Sequence, residues 1–269
     1  MKRSLFVVAL LFASALVSAQ TGDCAALTHQ ALEISGFNQS LDHITDILFS
    51  DSFLQQIRGR ESGEEFLNIF KPLMLKEFDA GLLRKQIQER VAARCNPEQM
   101  AQTVARLQTP FVAKMLELEA AGNTPEGQQK LQRYINIART VPPPDDRIEA
   151  LDALDASSGA SDYETDSIIA VVRGLMSGMG APPDVVGQLQ AHRKEYKTQM
   201  QTAMELRMLV IYHGVTRAEL QQYARELASQ PLKGFYAQVC KSFVEILEER
   251  SKALGQGLKK VMPQPPHAG

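Results

Sequence analysis

The chain has 269 residues and a nearly balanced charge, with 29 Lys and Arg against 31 Asp and Glu. Its basic residues are scattered, with no Lys/Arg run longer than two. The sequence therefore lacks the basic patch that nucleic-acid binding requires, and we expect no nucleic-acid partner.

The first element is a targeting segment. Lys2 and Arg3 precede the apolar run "SLFVVALLFASALV", and "VSA" then supplies the small residues that signal peptidase recognises. We predict a signal peptide over 1–19, cleavage near Ala19 and a periplasmic or secreted mature chain that starts at Gln20. A retained N-terminal anchor is the alternative, although the run is short for a membrane span. No second run of spanning length follows, so no integral span is expected after processing.

Three cysteines bear on the compartment, because cysteine pairs form disulfides in oxidising surroundings. They are not arranged as Cys-x-x-Cys, so neither a redox motif nor a zinc knuckle is indicated. We predict a disulfide between Cys24 and Cys95, and a buried free thiol at Cys240, which lies among apolar residues at helical spacing. Spacing alone does not fix the connectivity.

After the targeting segment, apolar residues recur with the period of an α-helix almost to the end of the chain, and no stretch alternates like a strand. The sequence therefore predicts an all-α fold. Between 64 and 94 the pattern is interrupted by Pro72 and Gly81, where we expect a kink or a break. Helix starts in this half are expected, from N-capping side chains and prolines, at Asp23, Asn96, Pro110 and Pro125.

The motif "VPPPDDR" at 141–147 stops helix formation, because consecutive prolines favour an extended, stiff chain. Beyond it, "SSGASD" predicts a loop, and "SDYE" and "TRAE" predict capping boxes. A helix from Pro183 is expected to continue to Tyr212, and a long helix follows Pro231. The C-terminal residues 262–269 are predicted to be a disordered tail.

The two halves resemble each other in layout. "NPEQMAQTVARLQTPFVAKM" starts at Asn96, and "TRAELQQYARELASQPLKGFY" starts 120 positions later at Thr216, with caps, apolar stripes and proline breakers in the same order. We interpret this as an internal duplication; the alternative is that short amphipathic helices resemble one another. The predicted organisation is two tandem helical-bundle repeats at 20–140 and 147–261, joined by a helix at 124–140 and a Pro-rich spacer at 141–146.

A known family is also suggested. "ALEISGFNQSLDHI" resembles the opening of a bacterial exported domain family of unknown function, which ends in a capped "T-x-x-E-L" helix and an "F-Y-x-S-P-x-G-x-K" signature. "VTRAELQQYARELASQPLKGFY" matches the cap, Glu219-Leu220 and the Ser-then-Pro turn, and the earlier copy matches more weakly. The Phe-Tyr pair before the turn is absent, and Gln230 separates Ser229 from Pro231. The resemblance implies an all-helical envelope protein and carries no catalytic residue with it.

No motif of an enzyme is present: there is no Gly-x-Ser-x-Gly, no His-Glu-x-x-His, no phosphate-binding glycine loop and no dinucleotide fingerprint. The acidic stretch "DASSGASDYETD" does not fit a calcium loop. We therefore expect no enzyme, and no catalytic, cofactor or metal site. Met200, Met204 and Met208 form a stripe at helical spacing, which favours a core or an adaptable binding groove over Cu(I) ligation.

Two functional hypotheses follow. The first is a non-enzymatic module for protein interaction or self-assembly, whose partner is another envelope protein or a second copy. The alternative is a carrier of a small apolar ligand or lipid, in a groove lined by Met and Phe between the helical lobes. A hydrolase with an unrecognised site is a third, weaker hypothesis. A carrier requires a large cavity, whereas an interaction module requires a filled interior and an exposed apolar patch.

Overall fold

The structure, a computed structural model, describes residues 23–45, 51–59, 62–138 and 143–261, and the regular elements within these ranges are helices. The all-α prediction is confirmed. The predicted signal peptide and the tail at 262–269 lie outside the described residues. In chain order the α-helices are α1 (Cys24–Ile34), α2 (Phe37–Ser40), α3 (Asp51–Arg58), α4 (Gly63–Glu77), α5 (Ala80–Ala93), α6 (Pro97–Leu107), α7 (Pro110–Gly122), α8 (Pro125–Ala138), α9 (Asp145–Ser158), α10 (Ala160–Met179), α11 (Pro183–Ala191), α12 (Arg193–Ile211), α13 (Arg217–Ala228) and α14 (Gln230–Val261).

Capping side chains explain several helix starts, as the sequence predicts. Asp23 accepts a hydrogen bond from the backbone of Ala25, and Asn96 accepts one from Gln99. Thr216 and Glu219 form a complete capping box at the start of α13. These bonds satisfy amide N–H groups that the first turn of a helix leaves without an internal partner.

Two local predictions are wrong, and a third holds in part. Pro72 lies inside α4 without ending it, but a break falls at Phe78 and Asp79, close to the interruption predicted at Gly81, and the Asp79 side chain caps α5. The predicted "SSGASD" loop is helical except for Gly159, whose φ of +69° suits glycine. "SDYE" is no capping box, because it lies within α10.

The helix from Pro183 is also shorter than predicted, since His192 separates α11 from α12. The end of the Pro-rich spacer differs as well. Residues 139–142 lie outside the described ranges, Pro144 is the N-cap of α9, and Asp145 and Asp146 are already helical. The predicted joining helix at 124–140 corresponds to α8.

The core is one continuous cluster of buried apolar side chains that includes residues of both predicted repeats. α14 connects the halves, because it packs along α10 and also contacts α4, α5 and α6. α1 packs on α6, and α9 packs on α13, which is the pairing that a duplication would produce. The duplication itself stays a prediction.

The α10–α14 contact brings two backbones close together. A Cβ added to Gly174 would lie 2.3 Å from the carbonyl oxygen of Glu248, and one added to Gly255 would lie 2.3 Å from that of Leu175. No larger residue fits there without moving a helix, because these contacts are far inside van der Waals separation. The glycines therefore set the distance between the two longest helices.

Cys24 and Cys95 lie at disulfide distance, as predicted, with 6.0 Å between their Cα atoms. They link the start of α1 to the residue that precedes the Asn96 cap, across 71 positions of the chain. Cys240 is a free, partly buried thiol. The disulfide thus fixes the N-terminal helix against the helices that close the first half of the fold.

Candidate functional site

A cavity of about 360 Å³ lies between the two halves of the fold. Its wall is formed by the end of α1, by α2 and α7 from the first half, and by α9, α10, α12, α13 and α14 from the second. Gln39 and His43, which are exposed, mark the side that faces solvent. The volume lies in the range of small-molecule sites in proteins.

A buried carboxylate, Glu119, lies in this wall. The hydroxyl of Tyr212 donates a hydrogen bond of 2.6 Å to Glu119 Oε1, and the hydroxyl of Tyr223 donates one of 2.8 Å to the same oxygen. Burial raises the pKa of Glu119, and the two tyrosine hydrogen bonds and Arg207 only partly oppose it. Because Glu119 lines the cavity, the surface that it retains faces the cavity.

Arg207 holds a second carboxylate at the cavity wall. Its Nη1 lies 3.2 Å from Glu164 Oε1, and its Nη2 donates to the side chain of Asn123. Burial raises the pKa of Glu164, an effect that Arg207 opposes. These contacts connect α12, α10 and the C-cap of α7. The guanidinium of Arg207 is therefore held by three elements, and its hydrogen bonds go to Glu164 and Asn123 in the cavity wall.

Four of the six tyrosines of the protein line the cavity. Burial raises the pKa of each phenol, so all four stay neutral, and Tyr212 and Tyr223 act as hydrogen-bond donors to Glu119. Burial also raises the pKa of the Cys240 thiol, to about 12. A second pocket, of about 600 Å³, lies on the other side of this wall, and the two share Ser158, Tyr163, Leu227, Tyr236 and Cys240.

The remainder of the wall is mainly apolar, and the methionine stripe contributes to it. Met204 and Met208 line the cavity and are almost fully buried. Met200, the third predicted groove residue, is half-buried and is not part of the lining. Met200 lies more than two helical turns before Met208 on α12, because an α-helix has 3.6 residues per turn.

The polar residues of the site were missed at the level of sequence. Glu119 follows Val112, Met115 and Leu116 at spacings of seven, four and three, so it lies on the buried face of α7. An acidic residue on an otherwise apolar helix face is the sequence signal that would have identified Glu119. Tyr223 lies on the buried face of α13, and the periodicity that places it there does not reveal what its hydroxyl contacts.

Among the described residues, no group of three or more His, Cys, Asp or Glu is arranged to hold a metal ion. No helix in the described ranges is long and apolar enough to cross a membrane. The cavity at Glu119 is our candidate site, because the hydrogen bonds of Tyr212, Tyr223 and Arg207 are made in its wall.

Comparison with known proteins does not assign the chain to a family. No family model, no curated protein and no solved structure matches the chain. The resemblance to an exported bacterial domain family therefore stays a prediction. A function has to follow from the chemistry of the cavity, because an all-α fold alone does not imply one.

Proposed function

We propose that the protein binds and carries a small, largely apolar molecule in the cavity between the two halves of its fold. The observation that carries this proposal is the cavity itself, which combines an apolar wall with a few buried polar groups. This combination is characteristic of sites that enclose a small molecule and fix its orientation. Met204 and Met208 suit such a wall, because thioether side chains adapt to irregular shapes.

The volume guides the choice of ligand. About 360 Å³ lies in the range of sites that bind small molecules, and a molecule with one ring or a short chain suits it.

Protein interaction, the first hypothesis from the sequence, has less support. Five large apolar side chains among the described residues are exposed: Leu75, Ile168, Met179, Val185 and Val261. A partner would need a contiguous apolar patch, whereas the cavity already combines an apolar wall with polar groups. We therefore place ligand carriage ahead of interaction, and we keep the expectation that the protein is not an enzyme.

Export is part of the proposal. The N-terminal segment has the pattern of a signal peptide, and the Cys24–Cys95 pair at disulfide distance suits an oxidising compartment. We propose a periplasmic or secreted carrier. Mass measurement of the protein isolated from its cell envelope tests cleavage, since the expected chain starts at Gln20 and a chain that retains Met1 would indicate the uncleaved anchor instead.

Calorimetric titration with 4-phenylbutan-1-ol, a neutral single-ring probe that suits the volume, tests binding. Ala120 lines the cavity, and its neighbour Ala121 on α7 is exposed. We expect the wild-type protein and Ala121→Phe to bind the probe and Ala120→Phe, which fills the cavity, to lose it. Failure of the wild type to bind this probe or a charged analogue with the same apolar body, or unchanged binding by Ala120→Phe, would contradict the proposal.

A further inference from the structure

The carboxylate of Glu119 is satisfied on one side only. Both tyrosine hydroxyls donate to Oε1, and no described group donates to Oε2. Because Glu119 lines the cavity, Oε2 is within reach of a bound molecule. Oε2 retains accessible surface, because it is not one of the fully buried side-chain oxygens that lack a partner among the described residues. A ligand that supplies a donor gains a hydrogen bond there.

The cavity wall contains more acidic side chains than Lys or Arg side chains. Glu119 and Glu164 are two carboxylates, whereas Arg207 is the one Lys or Arg side chain among the lining residues. Its hydrogen bonds already go to Glu164 and Asn123. When both carboxylates are ionised, the wall carries one negative charge in excess, which favours a cationic ligand over an anionic one.

The other titratable groups that line the cavity add no negative charge. The four tyrosines and Cys240 are neutral, since burial raises their pKa values. His43 lies on the exposed side, where it adds no negative charge. The negative charge therefore stays concentrated on the glutamates.

Aromatic rings complete the environment. Tyr212 and Tyr223 lie with their ring centroids 6.4 Å apart, and the hydroxyls of both meet at Glu119. Tyr163 and Tyr236 belong to the same lining. Ring faces attract cations, and the attraction is larger where water is excluded.

From these contacts we infer that the ligand of the cavity is an amphipathic amine, whose ammonium group binds Glu119 Oε2 while its apolar body contacts the tyrosines and methionines. This inference rests on the proposed function and specifies its ligand class. Charge-assisted hydrogen bonds are about twice as strong as neutral ones, so the ammonium dominates the orientation of the ligand.

A matched series of three probes tests the inference: 4-phenylbutylamine, 4-phenylbutan-1-ol and 4-phenylbutyrate, which share one apolar body. By calorimetry at pH 7 we expect the amine to bind about tenfold more tightly than the alcohol, and the acid to bind weakest. If none of the three binds, the proposed function itself fails. If the alcohol binds as well as the amine, or the acid binds best, carriage stands and the amine inference is overturned.

Glu119→Gln identifies the group responsible. Glutamine keeps an acceptor for the two tyrosines, so the variant should fold, and the advantage of the amine over the alcohol should disappear. Glu117→Gln, an exposed position on the same helix, should keep the advantage. An unchanged ratio in Glu119→Gln would contradict the role of Glu119.

A measurement on the wild type covers the case in which Glu119→Gln does not fold. Burial raises the pKa of Glu119 above its ordinary 4.5, so this carboxyl is more fully protonated at pH 4.5 than at pH 7, while the amine stays charged at both. The ratio of amine to alcohol affinity should fall over this interval. A ratio that does not change with pH would overturn the inference.

Discussion

The hydroxyl of Tyr212 lies 2.6 Å from the carboxylate of Glu119, although the two residues are 93 positions apart in the chain. Tyr223 donates to the same oxygen from a different helix. The carboxylate therefore connects α7, α12 and α13 at the deep side of the cavity. A buried charge contributes to a defined structure only when it is hydrogen-bonded, so these phenols are part of the fold as well as of the site.

Removal of one phenol should destabilise the protein. We expect Tyr212→Phe to lower the free energy of unfolding by about 1–3 kcal/mol at pH 7, because a hydrogen bond to a buried carboxylate is lost. Urea unfolding followed by circular dichroism measures the change. Tyr196→Phe is the control, since no hydrogen bond of the Tyr196 hydroxyl is present among the described residues, and it should change stability by less than about 0.5 kcal/mol. Equal effects of the two substitutions would show that the Glu119 contact is not stabilising.

Removal of the Cys24–Cys95 disulfide should lower the free energy of unfolding by more than Tyr212→Phe does. A link across 71 positions restricts the unfolded chain by about 4 kcal/mol in the chain-entropy model. We expect Cys24→Ser with Cys95→Ser to lower the guanidinium midpoint, and added reductant to have the same effect on the wild type. Cys240→Ser leaves the link intact, so it should retain the sensitivity to reductant. A wild-type midpoint that does not respond to reductant would contradict the pairing.

The α10–α14 contact should tolerate no side chain at Gly255. A Cβ there would lie 2.3 Å from the carbonyl oxygen of Leu175, so Gly255→Ala forces the helices apart and should cost about 1–3 kcal/mol. Gly234 lies on the same helix with nothing within 4 Å of an added Cβ. Gly234→Ala should therefore stabilise the protein by up to about 1 kcal/mol through helix propensity. Thermal unfolding measures the melting temperatures of Gly255→Ala and Gly234→Ala. Shifts of the same sign would contradict the close approach of the α10 and α14 backbones.

The capping box of α13 should make the stability of the protein depend on pH in the acidic range. Lys114, 2.8 Å away, and then the backbone and hydroxyl of Thr216 lower the pKa of Glu219 to about 2. Since this folded pKa lies below the ordinary value of 4.5, the stabilisation is present above pH 4.5 and is lost as the pH falls towards 2. We expect Glu219→Gln to lower the melting temperature at pH 6 and to differ little from the wild type near pH 2. Glu117→Gln is the control, and a difference for Glu219→Gln that grows in acid would have the wrong sign.

The sequence predicted the helices better than it predicted their junctions. Asn96 and Thr216 were found because a capping side chain acts on its own neighbours, which are visible in the chain. The "SDYE" motif was misleading, because Gly159 turns the chain within one residue and the carboxylate of Asp155 then accepts a hydrogen bond from the backbone N–H of Ser161. A short motif does not reveal a competing acceptor six residues earlier.

The candidate site was predicted only in part. Met204 and Met208 were identified because a methionine stripe has a periodic signature. Glu119 and Arg207 were missed, since their partners lie on other helices, 93 positions away for Tyr212 and 43 for Glu164. Long-range pairs of this kind depend on how the helices pack, and local periodicity contains no information about that.

The most direct test of ligand carriage in this cavity is methyl NMR of the protein labelled with ¹³C at its methionines, titrated with 4-phenylbutylamine. Met204 and Met208 line the cavity, whereas Met74 and Met100 are buried in the core outside the lining. The account predicts saturable shifts of the Met204 and Met208 signals, assigned through Met204→Leu and Met208→Leu, and unchanged signals of Met74 and Met100. Binding that leaves Met204 and Met208 unshifted, or shifts only the two core methionines, would contradict it.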